Sequence, residues 1–143
     1  MRSIVILAAM ILSVAATSCE KHDVLSADNL PGKISTFITT HFPESSVTSA
    51  VKEKENGVTR YEILLSNGFE LEFNGSYNII DIKGTSQLPD AVIPAKIREY
   101  VVANYSSNYI VEWELDDRRQ KIELNNGLDL EFSKTGDFIR IDY

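Results

Sequence analysis

One cysteine, Cys19, stands in the 143 residues, so no internal disulfide can brace the chain. Histidine is as scarce: His22 and His41 are the two, and neither a His-x-His nor a Cys-x-x-Cys spacing occurs. That removes the usual zinc arrangements. No Gly-rich phosphate loop is present. The loops are poor in aspartate, which disfavours a clustered-oxygen calcium site. No nucleophile stands in a recognisable pattern with a base, so an enzyme is not expected. Basic residues are outnumbered 14 to 21. This deficit argues against nucleic-acid binding, which rests on neutralising phosphates, and against an electrostatic hold on anionic lipid heads. The longest apolar run, Ile4 to Ala16, falls short of the roughly 20 residues that a spanning helix needs.

That run follows Arg2 and precedes Thr17-Ser18-Cys19. A positive start, a short apolar stretch and small residues before a cut site describe an export signal over residues 1–18. Ala16-Thr17-Ser18-Cys19 resembles the lipobox of bacterial lipoproteins, with Ala and Ser as tolerated variants at places usually held by Leu and by Gly or Ala. Lipidation of Cys19 is therefore expected. It gives the lone thiol a use, and two or three acyl chains anchor a protein stably. Residues 20–29 read as a short polar tether. Glu20, Lys21 and Asp23 resemble the acidic surface-export signals of some Gram-negative lipoproteins. Without the signal the balance is 13 basic residues to 21 acidic, a formal charge of −8.

The rest of the chain is written twice. Leu30 to Phe42 lines up with Ile93 to Tyr105 at an offset of 63, and Leu65 to Phe73 with Leu124 to Phe132 at an offset of 59. Self-similarity of this kind sets the architecture. In the first copy Ile34, Phe37, Ile38, His41 and Phe42 form one helical stripe, and Ile97, Tyr100, Val101, Asn104 and Tyr105 repeat it. Pro31 and Pro94 suit the first helical turn, and Pro43 closes the first helix. Near that helix end His41 suits the last carbonyls, and Asn104 at its matching position shows that imidazole is not required. The two copies read as about 30–84 and 88–143.

After each helix the apolar period becomes two. Phe69, Leu71 and Phe73 alternate with Glu70 and Glu72, and Leu128, Leu130 and Phe132 with Asp129 and Glu131. Turns such as Asn56-Gly57, Asn67-Gly68 and Asn126-Gly127 separate the strands. The pattern predicts strands at about 47–54, 58–65, 69–74 and 77–83, then 109–115, 118–124, 128–133 and 137–142. The expected fold is α+β: a tandem duplication of a helix plus a four-stranded antiparallel sheet, with the helices on one sheet face. Trp113 is read as core, with Tyr109, Val111 and Leu115 facing inward beside it and Ile110 facing out. In the last strand Ile139 and Ile141 are read as inward.

The doubled Leu-Pro or Ile-Pro start, the helix ending in Phe or Tyr, the Leu-x-Asn-Gly-x-x-x-x-Phe hairpin and a last hairpin with Gly resemble the PepSY-like, β-lactamase-inhibitor-like family. Leu30-Pro31, Phe42-Pro43, Leu65 to Phe73, Leu88-Pro89, Ile93-Pro94, Tyr105, Leu124 to Phe132 and Gly136 carry the likeness. It covers residues 30–143. The family implies secreted or lipid-anchored bacterial proteins with this duplication, and it implies no established catalytic residues.

The candidate binding face is the outer side of the sheet. Leu64, Ile79, Ile110 and Phe138 are placed there by alternation, among Glu70, Glu72, Asp129 and Glu131. Arg60, Lys83, Arg119, Lys121 and Arg140 flank the acids and suit a cross-strand charge ladder. Apolar residues inside a charged rim fit a protein interface. The expectation is a non-enzymatic lipoprotein of the bacterial cell envelope at the outer membrane, facing periplasm or cell surface. It binds a protein or peptide, such as a protease or hydrolase that it restrains, and touches the membrane only through its anchor. It has no cofactor and no nucleic-acid partner. The alternative is a periplasmic carrier of a small ligand or of calcium.

Overall fold

A computed structural model describes residues 21–142. The expected signal peptide and Cys19 lie outside the described residues. Two helices, α1 (Gly32–His41) and α2 (Ala95–Asn104), cover one face of a single antiparallel sheet. Among the described residues the strands are β1 (Lys21–Val24), β2 (Val47–Glu55), β3 (Val58–Leu65), β4 (Glu70–Asn74), β5 (Ile79–Lys83), β6 (Ile110–Leu115), β7 (Arg119–Leu124), β8 (Asp129–Ser133) and β9 (Phe138–Asp142). They pair strictly in chain order.

The ninth strand corrects the expected tether. β1 pairs with the edge of β2 from Lys21↔Lys54 to Val24↔Val51. The nine-residue β2 exposes an unpaired backbone edge, and β1 satisfies part of it. Leu25 packs against the core, and its N–H donates to the carbonyl of Ala50 at 2.9 Å. Polarity made the segment look free, but Leu25 and Leu30 tie it down.

A central row of the core runs the width of the sheet. Ala50, Ile63, Leu71, Ile82, Trp113, Ile122, Leu130 and Ile141 are successive cross-strand partners from β2 to β9. The Ile82–Trp113 pair joins the two copies. A second inner row holds Tyr61 and Phe73 in the first copy and Gln120 and Phe132 in the second. Phe37 of α1 meets Phe73 edge-on at 5.4 Å, and Tyr100 of α2 meets Phe132 in the same way at 5.4 Å.

Trp113 is core, as expected. It stands where the first copy has Ala50, and buried Gln120 stands where the first copy has Tyr61. The aromatic volume has moved one strand over. The Trp113 indole N–H donates to Gln120 Oε1 at 2.9 Å, and Gln120 Nε2 donates to the carbonyls of Ser133 and Lys134. Both buried polar groups thus have partners, as burial requires.

Each helix is also tied to its own last hairpin. Lys33 donates to Asn78, and Lys96 donates to Asp137 at the matching position. That hairpin turns through a left-handed residue, Gly136 at φ 84° in the second copy and Tyr77 at φ 64° in the first. A side chain disfavours this conformation, and Tyr77 packs against Tyr61 at 5.4 Å. Gly136→Ala is expected to cost about 1 kcal/mol from the strained φ. The added methyl would also lie 3.1 Å from Lys96 Cβ. Thermal melts of the variant check this, and an unchanged Tm would refute it.

Candidate functional site

The face opposite the helices carries two long rows of side chains. One runs Val24, Val51, Glu62, Glu72, Asp81, Glu114, Lys121, Glu131, Arg140, one residue per strand. The next runs Ser49, Leu64, Glu70, Lys83, Glu112, Glu123, Asp129, Asp142. Together they hold ten acids and three bases, so much of the net negative charge of the chain is gathered here. Alternation explains the arrangement: the apolar row lies between these two and points to the helices.

Of the predicted face residues, Leu64, Glu70, Glu72, Asp129 and Glu131 are on this side. Leu64 is 39% exposed and Glu131 only 9%. Three predicted positions are wrong. Ile110 is buried in the core, Ile79 packs against it, and Phe138, although 37% exposed, lies on the helix side and stacks on Tyr100 at 4.6 Å. The cause is a β-bulge, which inserts one residue and flips the alternation. Register shifts fall at Glu72/Phe73 against β5 and at Glu131/Phe132 against β9, so Ile79 and Phe138 turn inward. A third shift, at Ile110/Glu112, turns Ile110 inward and leaves Tyr109, expected inside, 38% exposed. Ile139, also expected inside, is 45% exposed for the same reason. The signal was present: Val47/Ala50, Ile79/Ile82, Ile110/Trp113 and Phe138/Ile141 are apolar pairs three apart, a spacing no regular strand gives to one face.

The two copies differ in how their acids are partnered. In the second, Glu131 lies between two guanidinium groups. Arg119 Nη1 is 2.5 Å from Oε2, while Arg140 donates through Nε to Oε2 at 2.9 Å and through Nη2 to Oε1 at 3.1 Å. The hydrogen bond from Arg140, and then Arg119, holds the Glu131 carboxyl below its usual range. Lys121 bridges Asp129 at 2.9 Å and Asp142 at 3.4 Å.

In the first copy Arg60 matches Arg119 and reaches Glu72 at 2.8 Å. The position matching Arg140 is Asp81, so the second cation is replaced by another acid. Asp81 faces Glu72 on β4 and Glu114 on β6, and its Oδ1 is buried without a hydrogen-bond partner. Burial, then Glu112, Glu114 and Glu72, push its carboxyl up to about 7, against a lowering pull from Lys83. Lys83 is engaged with Glu112 at 2.9 Å. Burial, then Glu53 and Glu72, also raise Glu62. Over the six matched positions the second copy (Arg119, Lys121, Asp129, Glu131, Arg140, Asp142) is neutral. The first (Arg60, Glu62, Glu70, Glu72, Asp81, Lys83) carries −2. Alternation gives Asp81 no special weight; only its comparison with Arg140 singles it out.

Grooves open beside it. One of about 300 Å³ is bordered by Val51, Leu64, Glu70 and Asp81, and another of about 400 Å³ by Arg60, Glu72, Asp81 and Glu114. Among the described residues no three His, Cys, Asp or Glu come together as metal ligands, and His22 Nδ1 lies 2.7 Å from Glu53 on the β1–β2 edge. His41 packs on Phe37 at 4.5 Å. No helix among the described residues is long and apolar enough to cross a membrane.

A duplicated helix-on-sheet unit with one uncovered acidic face defines the class. The chain belongs to the PepSY-like family: the family model described as "Putative beta-lactamase-inhibitor-like, PepSY-like" matches twice, over residues 15–81 and 80–140. Several crystal structures are similar, among them those of three Bacteroides proteins. A Bacteroides vulgatus protein described as a putative periplasmic protein of the DUF2874 family is 30% identical, covers 85% of this chain and 97% of its own, and superposes with a TM-score of 0.80. A Bacteroides thetaiotaomicron protein described as putative calcium-regulated and periplasmic is 28% identical, with coverage of 85% and 97% and a TM-score of 0.81. A second Bacteroides vulgatus protein, described as a putative periplasmic protein of unknown function, is 28% identical, with coverage of 86% and 100% and a TM-score of 0.82. No curated protein matches. The family and these relatives point to no enzymatic activity.

Proposed function

We propose that this protein is a non-enzymatic module of the bacterial cell envelope that is lipid-anchored at Cys19 and docks a protein or peptide on its uncovered sheet face. The observation that carries this reading is the face itself. Its two charged rows lie over an all-apolar inner row, and grooves beside Leu64 and Val51 expose apolar surface inside the charged rim. That mixture suits an interface whose core is apolar and whose edge sets specificity. A restrained protease or hydrolase is one partner such a face could serve.

The test is photo-crosslinking in cells, with a probe at Leu64 and a control at the exposed Val102 of α2. A discrete adduct from Leu64 and none from Val102 is expected. Glu70→Lys combined with Glu72→Lys should reduce that adduct at least tenfold. Adducts from Val102 alone would sink the reading. The anchor is checked separately. Cys19→Ala should abolish palmitate labelling and move the protein to the soluble fraction, and persistent labelling would refute it.

Calcium responsiveness is the second reading, favoured by the calcium-regulated description of the Bacteroides thetaiotaomicron relative. A rise in Tm with millimolar calcium but not magnesium would support it, and equal melts would dismiss it.

A further inference from the structure

We propose that the first copy is a receptor for an arginine side chain of a partner protein, seated at Glu72, Asp81 and Glu114 where the second copy holds its own Arg140. The inference rests on the docking reading and names the chemistry of the docked segment. The duplication supplies an internal reference. Arg60 and Arg119 match, and so do Glu72 and Glu131, and both Arg–Glu pairs are formed. Arg140 completes the second copy by gripping both oxygens of Glu131. The first copy keeps Glu131 as Glu72, has Asp81 in place of Arg140 and Lys83 in place of Asp142, which lies 3.7 Å from Arg140, and gains Glu114 from β6.

No side chain among the described residues takes the place that Arg140 has in the second copy. Oδ1 of the half-buried Asp81 is itself shielded and makes no hydrogen bond among the described residues, a state that natural structures rarely leave without a reason. The ammonium group of Lys83, two residues along the same strand, is held by Glu112. Four acids in succession, Glu62, Glu72, Asp81 and Glu114, then stand opposite one another across β3 to β6. Like charges so placed repel, and a cation inserted among them removes the repulsion. A guanidinium suits the site better than an ammonium, since its flat fork can address two carboxylates at once. The grooves on both sides of Asp81 leave it open to solvent-borne partners.

The probe is hexa-arginine peptide, titrated at low salt into the full chain in non-ionic detergent and followed by amide NMR. Hexa-lysine and hexa-glutamate serve as comparisons. Hexa-arginine should shift the amides of Glu62, Glu72, Asp81 and Glu114, leave those of Lys121 to Arg140 in place, and bind more tightly than hexa-lysine. Asp81→Arg supplies the missing guanidinium internally and should weaken binding at least tenfold without lowering Tm. Should that variant fail to fold, Asp81→Asn should still weaken binding about fivefold. Equal binding by Asp81→Arg, or shifts spread evenly over both copies, overturns the proposal. If either is seen while the Leu64 adduct persists, the docking reading stands with a partner of other chemistry. Absence of any Leu64 adduct from the wild-type chain would instead remove the docking reading itself.

Discussion

Phe132→Ala should lower the stability of the fold by about 3–5 kcal/mol, and Phe73→Ala by about as much, the usual cost of emptying a fully buried aromatic site. The two rings occupy matching positions, and both are completely shielded from solvent. Each receives an aromatic ring from its own helix, Phe37 onto Phe73 and Tyr100 onto Phe132. Phe132 has one more neighbour, Phe138 at 5.8 Å, so its loss should sit at the upper end. A domain of this size has about 5–15 kcal/mol in total, so either change consumes a large share. The informative result is the form of the transition. The inner apolar row continues through the Ile82–Trp113 pair without a break, so damage in one copy should unfold both. Urea melts followed at Trp113, which belongs to the second copy, should therefore shift to lower urea for Phe73→Ala as well as for Phe132→Ala. A Trp113 transition unmoved by Phe73→Ala would mean that the halves fold independently.

Much of this architecture was legible because the duplication repeats each signal. Two helical stripes, two Leu-x-Asn-Gly hairpins and two alternating runs leave little freedom in element order. The strands from Val47 to Asp142 fall within one or two residues of their expected bounds. Alternation failed where the backbone departs from regular geometry. Parity placed Ile79, Ile110 and Phe138 on the outer face, and a bulge on each of their strands turned them to the helix side, where Phe138 stays 37% exposed. The same bulges appear in both copies, which makes them part of the framework. β1 was missed because its polar residues pair at an edge, where one strand face stays wet and composition resembles that of a linker. The candidate site was half legible. The acids Glu70, Glu72, Asp129 and Glu131 follow from alternation, whereas the importance of Asp81 lies in a cross-strand neighbourhood that no single strand encodes.

Asp81→Asn should raise stability at pH 8 and flatten its dependence on pH. The Asp81 carboxyl titrates at about 7 in the folded chain, against 3.8 for an ordinary aspartate. Ionisation is thus harder folded than unfolded, and between about pH 4 and 7 the folded state holds more protons. Stability must then fall as pH rises through that window and level off above it. Glu72 on β4 and Glu112 and Glu114 on β6 face the group and drive the shift together with burial, while Lys83 opposes it. The unscreened limit is about 4 kcal/mol, and partial exposure reduces it to about 1–2 kcal/mol. That corresponds to a rise in Tm of about 5 °C for the variant at pH 8. Glu131 and Asp137, whose carboxyls are held low by Arg140 and Lys96 respectively, act in the opposite direction below about pH 4, so the two windows separate. Thermal melts from pH 4 to 9 on both proteins decide the matter, and parallel curves would show that Asp81 carries no such burden. A docked guanidinium would relieve the same repulsion as the asparagine. Hexa-arginine should therefore raise the Tm of the wild-type chain more at pH 8 than at pH 5, and should leave that of Asp81→Arg nearly unchanged at both.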